Sequence, residues 1–398
     1  MKGLVALALA YVLSQFYRSF LAVLTPQLSA ELGADKADLS LASGLWFITF
    51  ALMQFVVGVG LDRYGPRRTT GWIFGVATGI GALIFATAQT PTAIVIAMCL
   101  FGIGCSPVLM ASLFIFAQRF DMRQFAIMTS WLIAFGNLGN VVGASPLAAA
   151  VDQLGWRSVM LGLGALSVII SLAITLLVED PNVEAPKGSS ISGYITLIKN
   201  PILWAILPMM FFCYAPVASI RGLWTGPYLT DLFNANGLLI GKVTFWMAIA
   251  MISGSLLYGP LDKLFNTRKW VIFTGNCLVI FVFVLFIVNP QPSLIVATVQ
   301  FMVLGVCGAS FGVVMAHGRA FLPPHLVGRG VTFFNFCAMG GVGVVQFITG
   351  RVVESQADTS SPQTYQLLFA SYAALLLVAL LVYLFSKDAP PEAISRNK

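Results

Sequence analysis

The sequence predicts an all-α polytopic membrane protein of twelve transmembrane helices, arranged as two pseudo-symmetric six-helix bundles. Three observations predict it. Only 9% of the 398 residues are charged and 58% are hydrophobic, at a mean hydropathy of +0.90. A soluble domain needs about a quarter of its residues charged to coat its surface. Apolar stretches of about 20 residues, the length that crosses a hydrocarbon core, recur twelve times. A short charged motif recurs 200 residues apart, between the second and third stretches and between the eighth and ninth.

In chain order the spans are 4–26, 40–61, 70–89, 92–117, 125–150, 157–178, 201–229, 239–261, 270–289, 293–316, 330–350 and 364–385. The first resembles a secretory leader, since Lys2 precedes an apolar run with Ala8 and Ala10. A cleavage there falls too early and the run continues to Leu24, so it is read as a retained helix. Basic residues test the count. With the N-terminus inside, sixteen of the 22 fall in cytoplasmic loops, four (Lys36, Arg157, Lys242, Arg351) fall opposite, and two lie in spans. That bias is what the positive-inside rule requires. The expected location is a bacterial inner (plasma) membrane, with both termini cytoplasmic. The net charge of +7 then faces anionic headgroups, and nucleic acid is not needed as a partner. The six cysteines sit at unrelated spacings in apolar runs, which fits neither a disulfide framework nor a zinc site.

The repeated motif reads Gly58-Val59-Gly60-Leu61-Asp62-Arg63-Tyr64-Gly65-Pro66-Arg67-Arg68 in the first half. In the second it reads Gly259-Pro260-Leu261-Asp262-Lys263-Leu264-Phe265-Asn266-Thr267-Arg268-Lys269. Between the halves lies the most polar stretch of the chain, with Pro181, Pro186, Gly188, Ser189 and Ser190, which marks a linker. The expected organisation is an N-terminal bundle at 1–180, a cytoplasmic linker at 181–200, a C-terminal bundle at 201–386 and a tail at 387–398. Duplication of six spans is a construction of secondary transporters, with the substrate bound near mid-membrane.

On Gly58, Asp62, Arg63, Gly65, Arg67 and Arg68 the chain resembles the major facilitator superfamily, whose signature after the second span is G-x-x-x-D-R-x-G-R-R. Here Pro66 is inserted before the two arginines. Gly155-Trp156-Arg157 before span six adds to the likeness, which covers the whole chain. The resemblance implies a solute transporter working by alternating access, and a cytoplasmic gate at these loops. Its expected gating residues are Gly58, Asp62, Arg63, Gly65, Arg67 and Arg68, with Asp262, Lys263 and Arg268 in the second half. The span-four arginine common in drug exporters is missing, Met98 standing four residues before Gly102. In span five Gly136, Gly139, Gly143 and Pro146 only approximate the exporters' pattern.

Ionisable residues inside a membrane are costly and mark function. Two stand out, Arg18 in span one and Arg221 in span seven, 203 residues apart and hence at equivalent places in the two halves. None of the fifteen acidic residues falls mid-span, so a substrate is left to supply the counter-ion. By the resemblance, spans one and seven line the central cavity, and a pair of forked guanidinium donors there suits carboxylate or phosphate. The competing reading is snorkelling: Arg18 lies 15 residues beyond Gly3, roughly 22 Å along a helix, in the outer third of the core. Tyr17, Trp46, Trp131, Trp224 and Phe333 are candidates to cover an organic body. Gln15, Gln54, Asn137, Asn140, Asn335 and Gln346 are candidates to orient it. Span seven holds Pro208, Pro216, Gly222, Gly226 and Pro227, which predicts an interrupted helix that bends during transport.

Fourteen methionines raise a second reading, since thioethers and thiols select Cu(I). Met247 with Met251, and Met209 with Cys213, are each one helical turn apart. Within the superfamily the chain is somewhat similar to a proteobacterial branch importing copper or riboflavin. That branch's copper importers pair Met-x-x-x-Met with His-x-x-x-Met, whereas His317 precedes Phe321 and His325 precedes Arg329. No phosphate-binding G-x-x-x-x-G-K-[ST] loop is present, and two histidines at a membrane edge leave little for acid–base catalysis. The expected molecule is a monomeric carrier of a small-molecule substrate, not an enzyme, with no cofactor. A non-transporting receptor or assembly factor on the same scaffold is the remaining alternative.

Overall fold

The computed structural model describes residues 2–120, 122–180, 197–322 and 326–391, and all regular structure in them is helical. Nine helices among these are long and apolar enough to span a membrane: Lys36–Leu61, Arg63–Ala86, Pro91–Arg119, Trp156–Leu177, Gly237–Leu264, Lys269–Val288, Leu294–Arg319, Arg329–Glu354 and Pro362–Tyr383. Two more spans are bent pairs, Lys2–Tyr17 with Leu21–Leu32 at 51°, and Trp131–Val142 with Ser145–Leu154 at 41°. The twelfth, span seven, is fragmented into Pro201–Trp204, Leu207–Phe212, Ala215–Ser219, the π-helical turn Ile220–Trp224 and Thr225–Phe233. Each of Pro208, Pro216 and Pro227 removes a backbone donor and crowds the carbonyl four residues earlier, so a single straight helix is excluded. Most of the expected linker, along with His325 and the last residues of the tail, lies outside the described residues.

The chain forms two compact units. The first is Met1–Ser189 with Thr225–Thr230 and Ala235–Phe245, and the second is Ser190–Trp224 with Asp231–Asn234 and Trp246–Lys398. Within the first, the span-seven residue Gly226 lies against Ala22 and Thr25, and the span-eight residue Gly241 lies against Ser145 and Ala148.

Each unit is held by a glycine crossing. In the first, span five passes over span one so closely that a Cβ at Gly139 would overlap the Val12 carbonyl oxygen and stand 2.9 Å from the Phe16 amide nitrogen. Gly136 rests on the Tyr11 ring and Gly143 on Phe16 and Ser19. In the second, a Cβ at Gly341 of span eleven would overlap the Phe211 carbonyl oxygen of span seven. Small residues let backbones approach where lipid offers no hydrophobic drive between helices. Gly139 and Gly341 are 202 residues apart, so the duplication read from charged loops extends to the packing of each half.

Candidate functional site

Arg18 sits at the break of span one. The helix Lys2–Tyr17 ends where Ser19 turns its hydroxyl back onto the carbonyls of Gln15 (3.2 Å) and Phe16 (3.4 Å), and a new helix starts at Leu21. Such back-bonding competes with the helical ladder and bends it. Arg18 is half-buried, its Nε has no hydrogen-bond partner, and it joins none of the ion pairs among the described residues. The company it keeps is aromatic, with Cζ 5.3 Å from the Trp46 ring centroid and 5.4 Å from that of Phe50.

Arg221 occupies the equivalent place in the second unit, inside the π-helical turn Ile220–Trp224, and is only 2% exposed. A π turn is rare and concentrates at functional sites. Burial at this level is incompatible with a snorkelling side chain. Trp224, three residues on, is fixed by its Nε1 donating to Thr349 Oγ1 of span eleven at 3.1 Å. Both intramembrane arginines therefore stand at irregular backbone, one per unit.

The other expected site residues divide. Gln15, one turn before Arg18, donates to Tyr11 Oη at 2.9 Å, and its Oε1 is buried without a partner. Asn140 donates to Asn137 at 3.2 Å at the break of span five. Tyr17 does not join Arg18. It is fully buried, its ring stacked on Phe101 at 4.3 Å and its hydroxyl 3.0 Å from Ser167 Oγ, so it packs span one against spans four and six. Trp131 is 70% exposed, and no neighbour in its unit covers it. Of the thioether and thiol candidates, Met209, Cys213 and Met247 are core residues, and Met251 packs beside Gly305.

The expected gate residues are built around aspartates that the sequence reading left unassigned. In the first unit Gly65 adopts φ 78°, ψ 165°, a left-handed turn that a side chain resists. A Cβ there would also stand 2.6 Å from the Asp180 carboxylate. Asp180 accepts from the Arg67 amide at 2.8 Å, the Arg67 Nε donates to the Thr175 carbonyl, and Arg119 pairs with Glu179 at 2.9 Å. Arg63 lies over its neighbour Tyr64, Arg68 is exposed, and Gly58 has open space beside it. The Asp62 side chain lies outside the described residues.

In the second unit Asp262 pairs with Arg268 at 3.3 Å, while Lys263 is exposed. Asp388 accepts from the Thr267 hydroxyl and from the amides of Arg268 (3.2 Å), Lys269 (3.0 Å) and Ala389 (2.8 Å). Lys269 Nζ in turn donates to the Leu384 and Ser386 carbonyls. Asp180 and Asp388 each follow the last span of their half and receive the first free amides of its third span, where the helix dipole favours an anion. The signal was present in Glu179-Asp180-Pro181 and Lys387-Asp388-Ala389-Pro390.

Burial of Asp388 opposes its ionisation, but the Thr267 hydroxyl and the three amides outweigh it and hold its carboxyl below the usual carboxylate range. A depressed pKa contributes stability that is fully present above the unfolded value, about 3.9, and is lost as pH falls through the folded value. Asp388→Asn is expected to lower the thermal midpoint at pH 7, with the gap to the parent closing in acid. An equal gap at both pH values would contradict the role given to the charge.

A model of the Major Facilitator Superfamily matches residues 7–345. The Membrane sensor protein UhpC of Escherichia coli is 24% identical over 298 residues, covering 67% of this chain and 65% of that protein. The chain thus spans about two thirds of that relative's length. A Probable hexose phosphate transport protein of Chlamydia trachomatis is 20% identical over all of this chain and 93% of its own. The solved structure of the nucleoside transporter NupG overlays with TM-score 0.75 at 18% identity, covering 97% of this chain and 100% of that one.

Proposed function

This chain belongs to the Major Facilitator Superfamily, and on that premise we propose that it carries a small organic anion across a membrane by alternating access. The observation that carries the reading is Arg18, a guanidinium within a membrane span that meets no acceptor among the described residues. A charge in hydrocarbon is retained at a cost of about 2.5–3.5 kcal/mol on the insertion scale, and an incoming anion recovers it through forked, charge-assisted hydrogen bonds. Arg221, at the matching break of the second unit, is proposed for the same task. The hexose phosphate carrier among the relatives fits a phosphate or carboxylate cargo. The sidedness of the basic residues supports a reading with both termini on the cytoplasmic side of a bacterial inner membrane and a monomer as the working form.

A second reading has one observation in its favour: a relative at 24% identity is named a membrane sensor. On that reading this chain binds the anion and moves none.

The test is thermal unfolding of the purified chain with inorganic phosphate, glucose 6-phosphate, organic carboxylates, riboflavin and Cu(I), repeated on Arg18→Ala and Arg221→Ala. Anions are expected to raise the midpoint of the parent and of neither variant. Stabilisation by riboflavin or Cu(I) that survives both substitutions would overturn the anion reading.

A further inference from the structure

Arg18 poses a physical question that the anion reading leaves open: what keeps a guanidinium in place while no anion is bound? Among the described residues it has neither a carboxylate nor a carbonyl to bond. What it has is Trp46 and Phe50 on span two, one helical turn apart. Their rings are nearly parallel, 13° between planes and 5.2 Å between centroids, and both lie at almost the same distance from the cation, 5.3 and 5.4 Å.

Neither ring is free to drift. Trp46 is 0% exposed and Phe50 3%. Behind them span four presses backbone to backbone, since a Cβ at Gly102 would overlap the Trp46 carbonyl oxygen. One turn on, the Gln54 amide donates to the Phe50 carbonyl at 3.2 Å and to that of Ser106 in span four at 3.4 Å.

A ring face attracts a cation through its quadrupole, and the attraction strengthens where water is excluded. It differs from a carboxylate in one respect that matters here. A guanidinium stacked parallel to a ring keeps every N–H donor, all of which lie in its plane, free for an oxyanion.

We infer that Trp46 and Phe50 are positioning residues for Arg18, standing in for a counter-ion in the empty site and holding the cation by its face so that its donor edge meets an arriving oxyanion. This deepens the proposed function and rests on it for the identity of the ligand. The cargo class that follows is an anion offering two oxygens in one plane, a carboxylate or a phosphoryl edge. A carboxylate at position 46 or 50 would satisfy Arg18 permanently and compete with the cargo; aromatic faces do not.

The test has a ligand-free and a ligand-bound arm, both on the full chain in detergent. In the first, thermal midpoints are measured for the parent, Trp46→Leu, Arg18→Met and the double variant. Trp46→Leu is expected to cost on the order of 1–2 °C more beside Arg18 than beside Met at position 18. In the second, the half-saturating concentrations of glucose 6-phosphate and inorganic phosphate for thermal protection are compared. Trp46→Leu is expected to raise them about tenfold, while Trp46→Phe, which keeps a face and loses the indole N–H, stays within about threefold of the parent. Phe50→Leu is expected to act in the same direction and serves if Trp46→Leu does not fold.

An additive ligand-free cycle, or a Trp46→Phe variant as impaired as Trp46→Leu, would overturn the inference while leaving the anion reading intact. Protection that survives Arg18→Ala would instead remove the anion reading, and the ligand-free cycle would still decide whether the rings hold the cation.

Discussion

Arg18→Ala is expected to abolish transport and at the same time to make the empty protein harder to melt. The two effects come from one cause. Truncating one partner of a desolvated, hydrogen-bonded charge pair costs about 2–5 kcal/mol, roughly 30-fold to several thousandfold in the half-saturating anion concentration. Without an anion the same side chain is a liability, since an arginine within a membrane span costs up to about 2.5–3.5 kcal/mol on the insertion scale, of which the Trp46 and Phe50 faces recover only about 0.5–2 kcal/mol. Arg18→Lys keeps the charge and loses the planar fork, so it is expected to recover only part of the affinity. Initial uptake rates in proteoliposomes, beside thermal midpoints in detergent, check both halves of the expectation. A variant that transports within twofold of the parent, or that melts earlier, would contradict it.

The second large effect lies away from the cargo. Gly139→Ala is expected to reduce the yield of folded protein sharply, and Gly139→Leu to abolish it. The atom that a new Cβ would meet is the Val12 carbonyl oxygen, with the Phe16 amide nitrogen 2.9 Å away. Backbone cannot rotate aside as a side chain can, so the cost exceeds the ~1–3 kcal/mol of ordinary overpacking. It falls on the segment whose bend at Ser19 places Arg18. Gly162, with nothing within 4 Å, is the matched control, and its alanine variant is expected to fold at least as well as the parent. Size-exclusion recovery after detergent extraction measures all three. Equal recovery of Gly139→Leu and the parent would refute the crossing.

Much of the architecture was legible because lipid imposes it. Span length, the sidedness of lysine and arginine and the duplicated loop are all one-dimensional signals, and each of the twelve expected stretches corresponds to a helix, a bent pair or a fragmented span. The prolines of span seven gave its interruption, and Arg18 and Arg221 were conspicuous as charges in apolar runs. What failed to show was direction. Tyr17 precedes Arg18 by one residue, and successive helical side chains point about 100° apart, so the tyrosine packs on Phe101 while the arginine meets Trp46. Trp46 was one aromatic among many until span two was set against span one. Asp180 and Asp388 were missed because one is the last residue before the expected linker and the other falls in the expected tail, and only the fold returns them to the third span of each half.

Exchange in reconstituted vesicles decides whether this chain moves an anion or merely senses one. Liposomes containing the purified protein, loaded with unlabelled glucose 6-phosphate or inorganic phosphate, are placed in the same labelled anion. Label is expected to enter faster than in protein-free liposomes and in those carrying Arg18→Ala. Anion-dependent thermal protection with no exchange would make the protein a sensor, and exchange undiminished by Arg18→Ala would remove the arginine from the path.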